Sequence, residues 1–208
     1  RITHRGVPLD FDRVLELTAP RQAARDETRA KIRDEFGIAN PGSSSQVAAK
    51  LVELGVDLPR TATGRPSVEG EVLEVVAVND EHPEAAELAR LVLEYREHDK
   101  VLSTYLGPYR ALCEYADGRV RPTIYTVQTR TGRMSCARPN LQQVPKVGGV
   151  RSCITSDPGY VMIGADFSSV EVRVAAALSQ DDTLLRYLAE GKDLHTEVAL
   201  RVWGPDPE

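Results

Sequence analysis

One junction in the chain constrains its fold more than any other, because an apolar run there leads directly into an acidic residue and a helix start. The aromatic and β-branched residues of 160–165 follow a Pro-Gly turn and predict a short buried strand. Asp166 stands at the exit of that strand. Ser168 and Glu171 then have the spacing of a capping box, which predicts a helix from about Ser169 to Leu178. A carboxylate in this position either binds a metal ion or merely caps the helix, and the segment alone leaves both interpretations open.

The composition limits the classes of protein to which the chain can belong. Its 208 residues are enough to bury a core, and no apolar run approaches the ~20 residues that span a membrane. Three cysteines, Cys113, Cys136 and Cys153, lie far apart in the sequence and form no C-x-x-C pair. This pattern favours small buried side chains over a disulfide framework or a zinc site. The chain begins at Arg1 rather than at a methionine, and we interpret it as a piece of a longer protein.

The distribution of charge favours a phosphate-bearing partner, despite a net charge of -5. Residues 118–156 contain no Asp or Glu. The same stretch has seven basic residues, which are Arg119, Arg121, Arg130, Arg133, Arg138, Lys146 and Arg151. A local basic stretch is typical of a surface that binds nucleic acid. A merely solvated surface would show the same pattern, so the charge alone does not decide between them.

The order of the predicted elements divides the chain into a helical part and a mixed part. Helical spacing and capping residues predict helices over 11–17, 20–36, 43–54, 67–77 and 83–106. After Gly107 the pattern has a period of two. Asp117-Gly118 is a hairpin turn signal, and 119–128 alternates like a half-exposed strand. We therefore expect a helical region over 1–107 and a mixed region over 108–208.

Four motifs in the second half of the chain are specific in combination. They are TGRMSCARPNLQQVP at 131–145, VRSCI at 150–154, GADFSSVEVRVAAALSQDDTLL at 164–185 and GKDLHTEVALRVWG at 191–204. In this order and at these distances they resemble family A DNA polymerases, the bacterial DNA polymerase I group and its phage relatives. The resemblance implies an α+β fold with a truncated right-hand architecture. A helical thumb over 1–107 would precede part of an antiparallel-sheet palm with helices over 108–208, which ends at the start of the fingers.

The resemblance also implies a metal site at the predicted strand exit. Asp166 would bind catalytic Mg2+, with the backbone carbonyl of Phe167 as a further ligand. Two Mg2+ ions about 3.5 to 4 Å apart would activate the primer 3′ hydroxyl and hold the nucleotide triphosphate. The second catalytic aspartate of the family belongs to a downstream motif that the 208 residues do not contain. Asp181 and Asp182 follow the helix instead of flanking the strand, so we expect them to be surface residues.

Two further residues correspond to family positions that contact the incoming dNTP. Glu171 matches a glutamate that crowds the sugar 2′ carbon and rejects ribonucleotides, a role that is compatible with capping. His195 matches a histidine that contacts the nucleotide phosphates. We expect Arg173, on another helix face, to form a structural ion pair. Ser169 stands where glutamine is usual, which indicates a divergent, phage-like branch.

Amide and guanidinium side chains near the first motif are candidates for the DNA minor groove. Every base pair presents purine N3 or pyrimidine O2 acceptors there, so donors can test pairing without reading sequence. The resemblance assigns this role to Arg133, Asn140, Gln142 and Gln143, the last of which replaces the usual asparagine. Asn140 has an ordinary alternative role, which is to cap the local backbone.

The end of the long predicted helix resembles a thumb segment that contacts DNA phosphates. The candidate residues are Lys100, Ser103 and Thr104. Such contacts position the duplex without specifying its sequence. A cation at a helix C-terminus also has an ordinary explanation, because it interacts favourably with the helix dipole.

The leading hypothesis is a DNA-directed DNA polymerase that transfers nucleotides from dNTPs to a primer 3′ hydroxyl. Its partners would be primer-template DNA, dNTPs, Mg2+ and the remainder of the polymerase chain, without a membrane, in the cytoplasm of a bacterial cell or phage-infected host. Without the fingers helix and the second aspartate, we expect these 208 residues to be inactive alone. One alternative is a non-catalytic DNA-binding module. A metal-dependent nuclease or hydrolase is less well supported, because no His or Cys cluster accompanies Asp166 and Glu171.

Overall fold

The computed structural model describes residues 2–146 and 148–205 and divides the chain into two compact units, Arg1–Val161 and Met162–Glu208. Arg1 and the last three residues, at the chain ends discussed above, lie outside the described residues. The helices are α1 (Ile2–Arg5), α2 (Phe11–Phe36), α3 (Ser44–Glu53), α4 (Gly70–Ala77), α5 (Pro83–Val101), α6 (Gly107–Tyr115), α7 (Val170–Ser179), α8 (Asp182–Ala189) and α9 (Leu194–Trp203). The strands are β1 (Val7–Pro8), β2 (Arg119–Val120), β3 (Thr123–Tyr125) and β4 (Ser135–Ala137). This mainly helical arrangement with small antiparallel sheets confirms the predicted α+β class.

Helix α2 is continuous across Pro20, which makes the prediction of two separate helices wrong. Asp10 caps its start by accepting a hydrogen bond from the Arg13 backbone N–H (3.0 Å), and Gly37 ends it with a φ of 71°. A proline inside a helix removes one backbone hydrogen bond and crowds the preceding turn. Pro20 lies on the exposed face, while Val14, on the opposite face, is fully buried. Packing of the buried face therefore outweighs the local cost of the proline.

The first unit contains two apolar cores. The helical core joins the C-terminal half of α2 to α3, α4 and α5, and includes Ile32, Val47, Leu51, Leu73, Leu88, Val92 and Tyr95. The junction core consists of Val14, Val101, Leu102, Tyr105, Leu106, Tyr109, Val120, Val144, Val150 and Cys153. A fully buried Val or Leu side chain contributes about 1.5 to 3 kcal/mol. Val144, Val150 and Cys153 are thus held against α2 and α6 by apolar burial.

The chain remains helical through the predicted boundary at residue 107. A π-helical turn, Leu102–Leu106, follows α5 directly and is followed directly by α6. The predicted helices over 43–54 and 83–106 are confirmed within a few residues at their ends, apart from the π-helical turn. Junction-core residues come from both sides of residue 107, and the assignment of a thumb before it and a palm after it stays a prediction.

The predicted hairpin and strand after α6 take a different form. Asp117-Gly118 links α6 to β2, and β2 pairs with β1 near the chain start, in the register Val7 to Val120. The strand predicted over 119–128 is divided at Pro122, which has no N–H to donate to a ladder. The second part, β3, pairs antiparallel with β4, with Ile124 opposite Cys136.

Two predictions about the junction at Asp166 are wrong. Residues 160–165 form no strand, and the exposed fraction of Ile163 is 87%. A strand needs a hydrogen-bonding partner, and none of the described residues pairs with this segment. The capping box is also absent, since the N-cap residue of α7 is Ser169, with a φ of 51° and no side-chain cap hydrogen bond. Helix α7 then begins at Val170 as expected within one residue.

Across residues 2–146 and 148–205, no helix is both long enough and apolar enough to cross a membrane.

Candidate functional site

The residues predicted to contact DNA phosphates lie at the end of α5 and in the π-helical turn. Lys100, Ser103 and Thr104 are all exposed. The next two residues, Tyr105 and Leu106, are buried in the junction core. The turn therefore presents a lysine and two hydroxyl groups to solvent from a backbone that is anchored by apolar packing.

A hydrogen bond joins this turn to the predicted minor-groove residues. The Tyr105 hydroxyl donates to the backbone carbonyl of Gln143 over 2.8 Å. Val144, the next residue, is buried in the same junction core. The structure thus brings together two sets of candidates that lie 38 positions apart in the sequence.

Asn140 and Gln142 have structural roles in a 3-10 turn, Leu141–Gln143. The side-chain oxygen of Asn140 accepts from the Gln142 backbone N–H (3.1 Å), so the local capping role is observed. The Gln142 side-chain amide donates to the Met134 carbonyl (3.2 Å). One amide therefore caps the turn, and the other ties it to the loop that carries Arg133. The Asn140 amide nitrogen has no hydrogen bond to any residue in the described ranges.

Arg133 lies in the exposed loop between β3 and β4. Its backbone carbonyl accepts a hydrogen bond from the Thr129 hydroxyl (2.8 Å), and Gly132 beside it has a φ of 76°. A residue with a side chain would be strained at that φ, which accounts for the glycine. The loop conformation is thus set by local bonds, and the minor-groove role of the Arg133 side chain stays a prediction.

Part of the basic stretch has partners within the protein, and its role in phosphate binding stays a prediction. Arg119 donates to Asp157 (2.7 Å), and Arg121 pairs with Asp117. Arg151 donates to the Val144 carbonyl through both Nε (3.1 Å) and Nη2 (3.0 Å). These guanidinium groups are engaged within the protein, so a phosphate-binding surface would depend on the other basic residues.

Asp157 forms a contact that sequence reasoning missed. It accepts hydrogen bonds from Arg119 and from Arg5 (2.7 Å), and these guanidinium groups, Arg119 first, lower the pKa of its carboxyl group. Arg5 also lies 5.6 Å from the ring centroid of Tyr160. No local pattern predicts a contact between residues 152 positions apart. The pair of arginines thus anchors the turn at Asp157 within the first unit.

Asp166 and Phe167, the predicted metal ligands, lie in an exposed segment without regular structure. They would supply one carboxylate and one carbonyl oxygen, and Mg2+ requires six oxygen ligands. Within residues 2–146 and 148–205, no group of three or more His, Cys, Asp or Glu side chains could hold a metal ion. The donor types therefore suit Mg2+, but the described residues provide only part of a site.

Arg173 and Asp181 make local hydrogen bonds at α7 and α8. Glu171 is exposed in the first turn of α7. Arg173 donates to the Ser168 carbonyl (3.0 Å), so its expected ion pair is replaced by a backbone contact. Asp181 caps α8 by accepting from the Leu184 backbone N–H (2.9 Å), which agrees with a structural rather than catalytic role.

His195 is exposed in the first turn of α9. Its backbone N–H donates to the Asp193 carboxylate (3.1 Å), which also accepts from the Thr196 hydroxyl (3.0 Å). The Thr196 hydrogen bond and then that of His195 lower the pKa of Asp193. The capped helix start therefore holds the His195 backbone while its imidazole remains accessible to solvent.

Comparison with known proteins shows the family to which these residues belong. The model of DNA polymerase family A matches residues 12–208. The chain belongs to DNA polymerase family A.

Curated relatives support the family assignment. Thermostable DNA polymerase I from Thermus filiformis is 34% identical over 188 residues, which cover 88% of this chain and 20% of that protein. DNA polymerase I from Deinococcus radiodurans is 31% identical over 214 residues, which cover 99% of this chain and 22% of that protein. The chain thus spans about a fifth of the length of these bacterial relatives, and its placement in a phage-like branch stays a prediction.

A solved structure of a family A polymerase shares the fold. The POL domain of Pol1 from M. smegmatis, in complex with DNA primer-template and dNTP, aligns with a TM-score of 0.79 and 25% identity. The alignment covers 99% of this chain and 36% of that one. The predicted polymerase-like fold is therefore confirmed. The roles of individual residues in this family A chain stay predictions.

Proposed function

We propose that the polymerase carrying this chain copies a DNA template by transferring nucleotides from dNTPs to a primer 3′ hydroxyl. Membership in DNA polymerase family A supports the proposal, as does the likeness to a POL domain solved with primer-template and dNTP. The partners would be primer-template DNA, dNTPs and the remainder of the polymerase. A cytoplasmic location also stays a prediction.

The observation that carries the proposal is the hydrogen bond from Tyr105 to the Gln143 carbonyl. It holds the exposed Ser103 and Thr104 hydroxyl groups against the same core that supports Asn140 and Gln142. Phosphate contacts position a duplex, and minor-groove donors test whether its bases are paired. One rigid support for both kinds of group suits a protein that must hold a paired primer end.

For the chemical step, we propose that Asp166 and the Phe167 carbonyl hold Mg2+ in the complete site. When bound, two Mg2+ ions would lower the pKa of the primer hydroxyl and neutralise charge on the triphosphate. The remaining protein ligand would be a second carboxylate outside the described residues. The 208 residues alone would therefore not polymerise DNA.

We also propose that Glu171 and His195 contact the incoming nucleotide. Both are exposed in the first turns of helices of the second unit. An imidazole at a helix start suits a phosphate group, because its N–H can donate to a phosphate oxygen and the N-terminal end of a helix favours negative charge. The carboxylate of Glu171 would exclude a 2′ hydroxyl by its bulk.

The proposal is tested by replacing Asp166 with alanine in the polymerase that carries this chain. We expect Asp166→Ala to abolish primer extension while primer-template affinity stays within several-fold, because a metal ligand contributes little to phosphate binding. Primer extension and fluorescence anisotropy measure the two quantities. Asp182→Ala is the matched control, since Asp182 is also an exposed carboxylate of the second unit, and it should extend primers normally. Near-normal turnover by Asp166→Ala at saturating Mg2+ would contradict the assignment.

A further inference from the structure

Three cationic side chains of the second unit surround one aromatic ring. The Tyr187 ring centroid lies 5.4 Å from Arg186 Cζ, 5.0 Å from Lys192 Nζ and 5.7 Å from Arg201 Cζ. Arg186 and Tyr187 belong to α8, Lys192 to the following turn and Arg201 to α9. The Tyr187 cluster, as we call these four residues, is thus built by the packing of two helices and the turn between them.

The position of this cluster is unexpected from the charge of the surrounding sequence. Residues 162–208 contain nine Asp or Glu and only four Arg or Lys. Three of the four cations contact Tyr187, and the fourth, Arg173, donates to the Ser168 carbonyl. Like charges held close together repel one another, and the electron-rich face of a tyrosine offsets only part of that repulsion. A bound anion would offset more of it.

The two arginines of the cluster are open to such an anion. Lys192 pairs with Glu190 (3.1 Å) and lies 3.9 Å from Glu197. Neither Arg186 nor Arg201 has an ion pair with any carboxylate in the described ranges, and both are exposed. Their guanidinium groups present planar sets of N–H donors, which suit the paired oxygens of a phosphate.

We propose that the Tyr187 cluster binds the phosphodiester backbone of single-stranded DNA. Arg186 and Arg201 donate to phosphate oxygens, and Lys192, paired with Glu190, holds the turn between the two helices beside the ring. Cations combined with an aromatic ring are typical of surfaces that bind single strands without reading sequence. The inference rests on the proposed function, since a template-copying enzyme meets unpaired template ahead of the primer. It adds a binding surface distinct from the residues assigned above to the duplex and to the dNTP.

The test uses the polymerase that carries this chain, with Arg186→Gln and Arg201→Gln combined. Binding is measured by anisotropy over a series of salt concentrations, on primer-template with an unpaired template overhang of about ten nucleotides and on blunt duplex. Each phosphate contact to a single strand contributes about 0.7 to the slope of log affinity against log salt. We expect the double variant to bind the overhang DNA about tenfold more weakly, with a slope smaller by about 1.4, and to bind blunt duplex as wild type does.

Three further variants distinguish the loss of a phosphate contact from general effects of net charge. Lys31→Gln combined with Arg33→Gln removes two exposed, ion-paired cations from α2. This variant changes the net charge by the same amount as the double glutamine variant of the cluster, and it should leave the affinity for overhang DNA and the salt slope unchanged. Arg186→Lys combined with Arg201→Lys should restore most of the salt slope. Tyr187→Leu should weaken overhang binding, because the ring no longer holds the cations together. Thermal unfolding checks that each variant is folded.

The outcomes distinguish this inference from the function on which it rests. If the double glutamine variant loses the same factor on blunt duplex as on overhang DNA, the single-strand assignment is wrong. If only the KM for dNTP rises, the phosphate source is the nucleotide and the inference is also overturned. An unchanged salt slope in a polymerase that still extends primers would overturn the inference alone. If the wild-type polymerase neither binds nor extends primer-template, the proposed function is wrong.

Discussion

Glu171 occupies the first turn of α7, where a carboxylate interacts favourably with the helix dipole. Since α7 has no side-chain cap hydrogen bond at Ser169, the dual role that the sequence indicated for Glu171 loses its capping-box part. The steric role towards the sugar of the nucleotide does not depend on that box. The two roles can therefore be separated by experiment at this residue.

We expect Glu171→Ala in the polymerase that carries this chain to increase ribonucleotide incorporation relative to deoxyribonucleotide. The truncated side chain no longer crowds the 2′ position, and loss of the dipole interaction costs about 0.3 to 1 kcal/mol of stability. Competitive incorporation measures selectivity, and thermal unfolding measures stability. Asp182→Ala, in the first turn of α8, is the control for the dipole effect. Unchanged selectivity in folded Glu171→Ala would exclude the steric role.

Arg133 is expected to act on the primer end rather than on overall affinity. Arg133→Ala should slow single-turnover extension by about one to two orders of magnitude, because a charged hydrogen bond is worth roughly 1.5 to 3 kcal/mol. Primers whose terminal purine has carbon in place of N3 should slow wild type but not the variant. Arg130→Ala, an exposed arginine of the same loop, should retain the response to that analogue. Equal losses on the analogue for wild type and Arg133→Ala would leave phosphate binding as the explanation.

At the scale of elements, the π-helical turn and the 3-10 turn depend on one another through Tyr105. Tyr105→Phe removes the hydrogen bond to Gln143 while it retains the buried ring, and should cost about 0.5 to 1.5 kcal/mol of stability. It should also reduce the rate of extension, since Asn140 and Gln142 are then held less firmly. Denaturant unfolding and single-turnover extension measure the two effects. Tyr115→Phe, at a tyrosine that is 85% exposed, should change neither.

The elements predicted correctly from the sequence are helices that are stabilised by local interactions or by apolar residues along one face. Helices α3 and α5 have apolar residues at helical spacing, and those residues form the helical core. The predicted division of α2 is wrong because packing on the opposite face outweighs the local effect of Pro20, a helix breaker. The strand over 160–165 was wrong because a strand depends on partners, which apolar composition does not reveal.

The candidate site could likewise be predicted only in part from the sequence. Its residues were identified because they lie within contiguous motifs, as Arg133 and Asp166 do. The contacts that support them join distant positions, such as Tyr105 with Gln143 and Arg5 with Asp157. A single sequence contains no local signal for such pairs. The sequence also does not predict that Arg119 and Arg121 form ion pairs within the protein. The number of charges along a chain does not show which partners the fold supplies.

At the scale of the whole molecule, apolar side chains that would ordinarily be buried lie exposed in and near the segment before α7. The exposed fractions of Val161, Ile163 and Phe167 are 81%, 87% and 82%. Surfaces of this kind usually mark a site of contact with other polypeptide. In the proposed function, that polypeptide is the remainder of the palm.

We expect the 208-residue chain alone to bind a hydrophobic dye through this segment and to extend no primer. Val161→Thr combined with Ile163→Thr should lower dye fluorescence without changing the helical circular dichroism signal. In the polymerase that carries the chain, the same change should lower the free energy of unfolding by about 1 to 3 kcal/mol per site, because the residues are then buried. Val75→Thr combined with Val78→Thr, at residues 69% and 78% exposed, is the control and should be nearly neutral. Equal effects of the two pairs would contradict a specific contact.

The π-helical turn also sets the rotational phase between α5 and α6. Each residue of an α-helix advances the chain by about 100°, so deletion of one residue from Leu102–Leu106 would turn every later side chain of α6 by that angle. Tyr109, which is 1% exposed, would then leave the junction core and a more polar face would enter it. The number of residues in this turn is therefore constrained as tightly as their identity, and a change of length there would reach β2 and the Gln143 contact together.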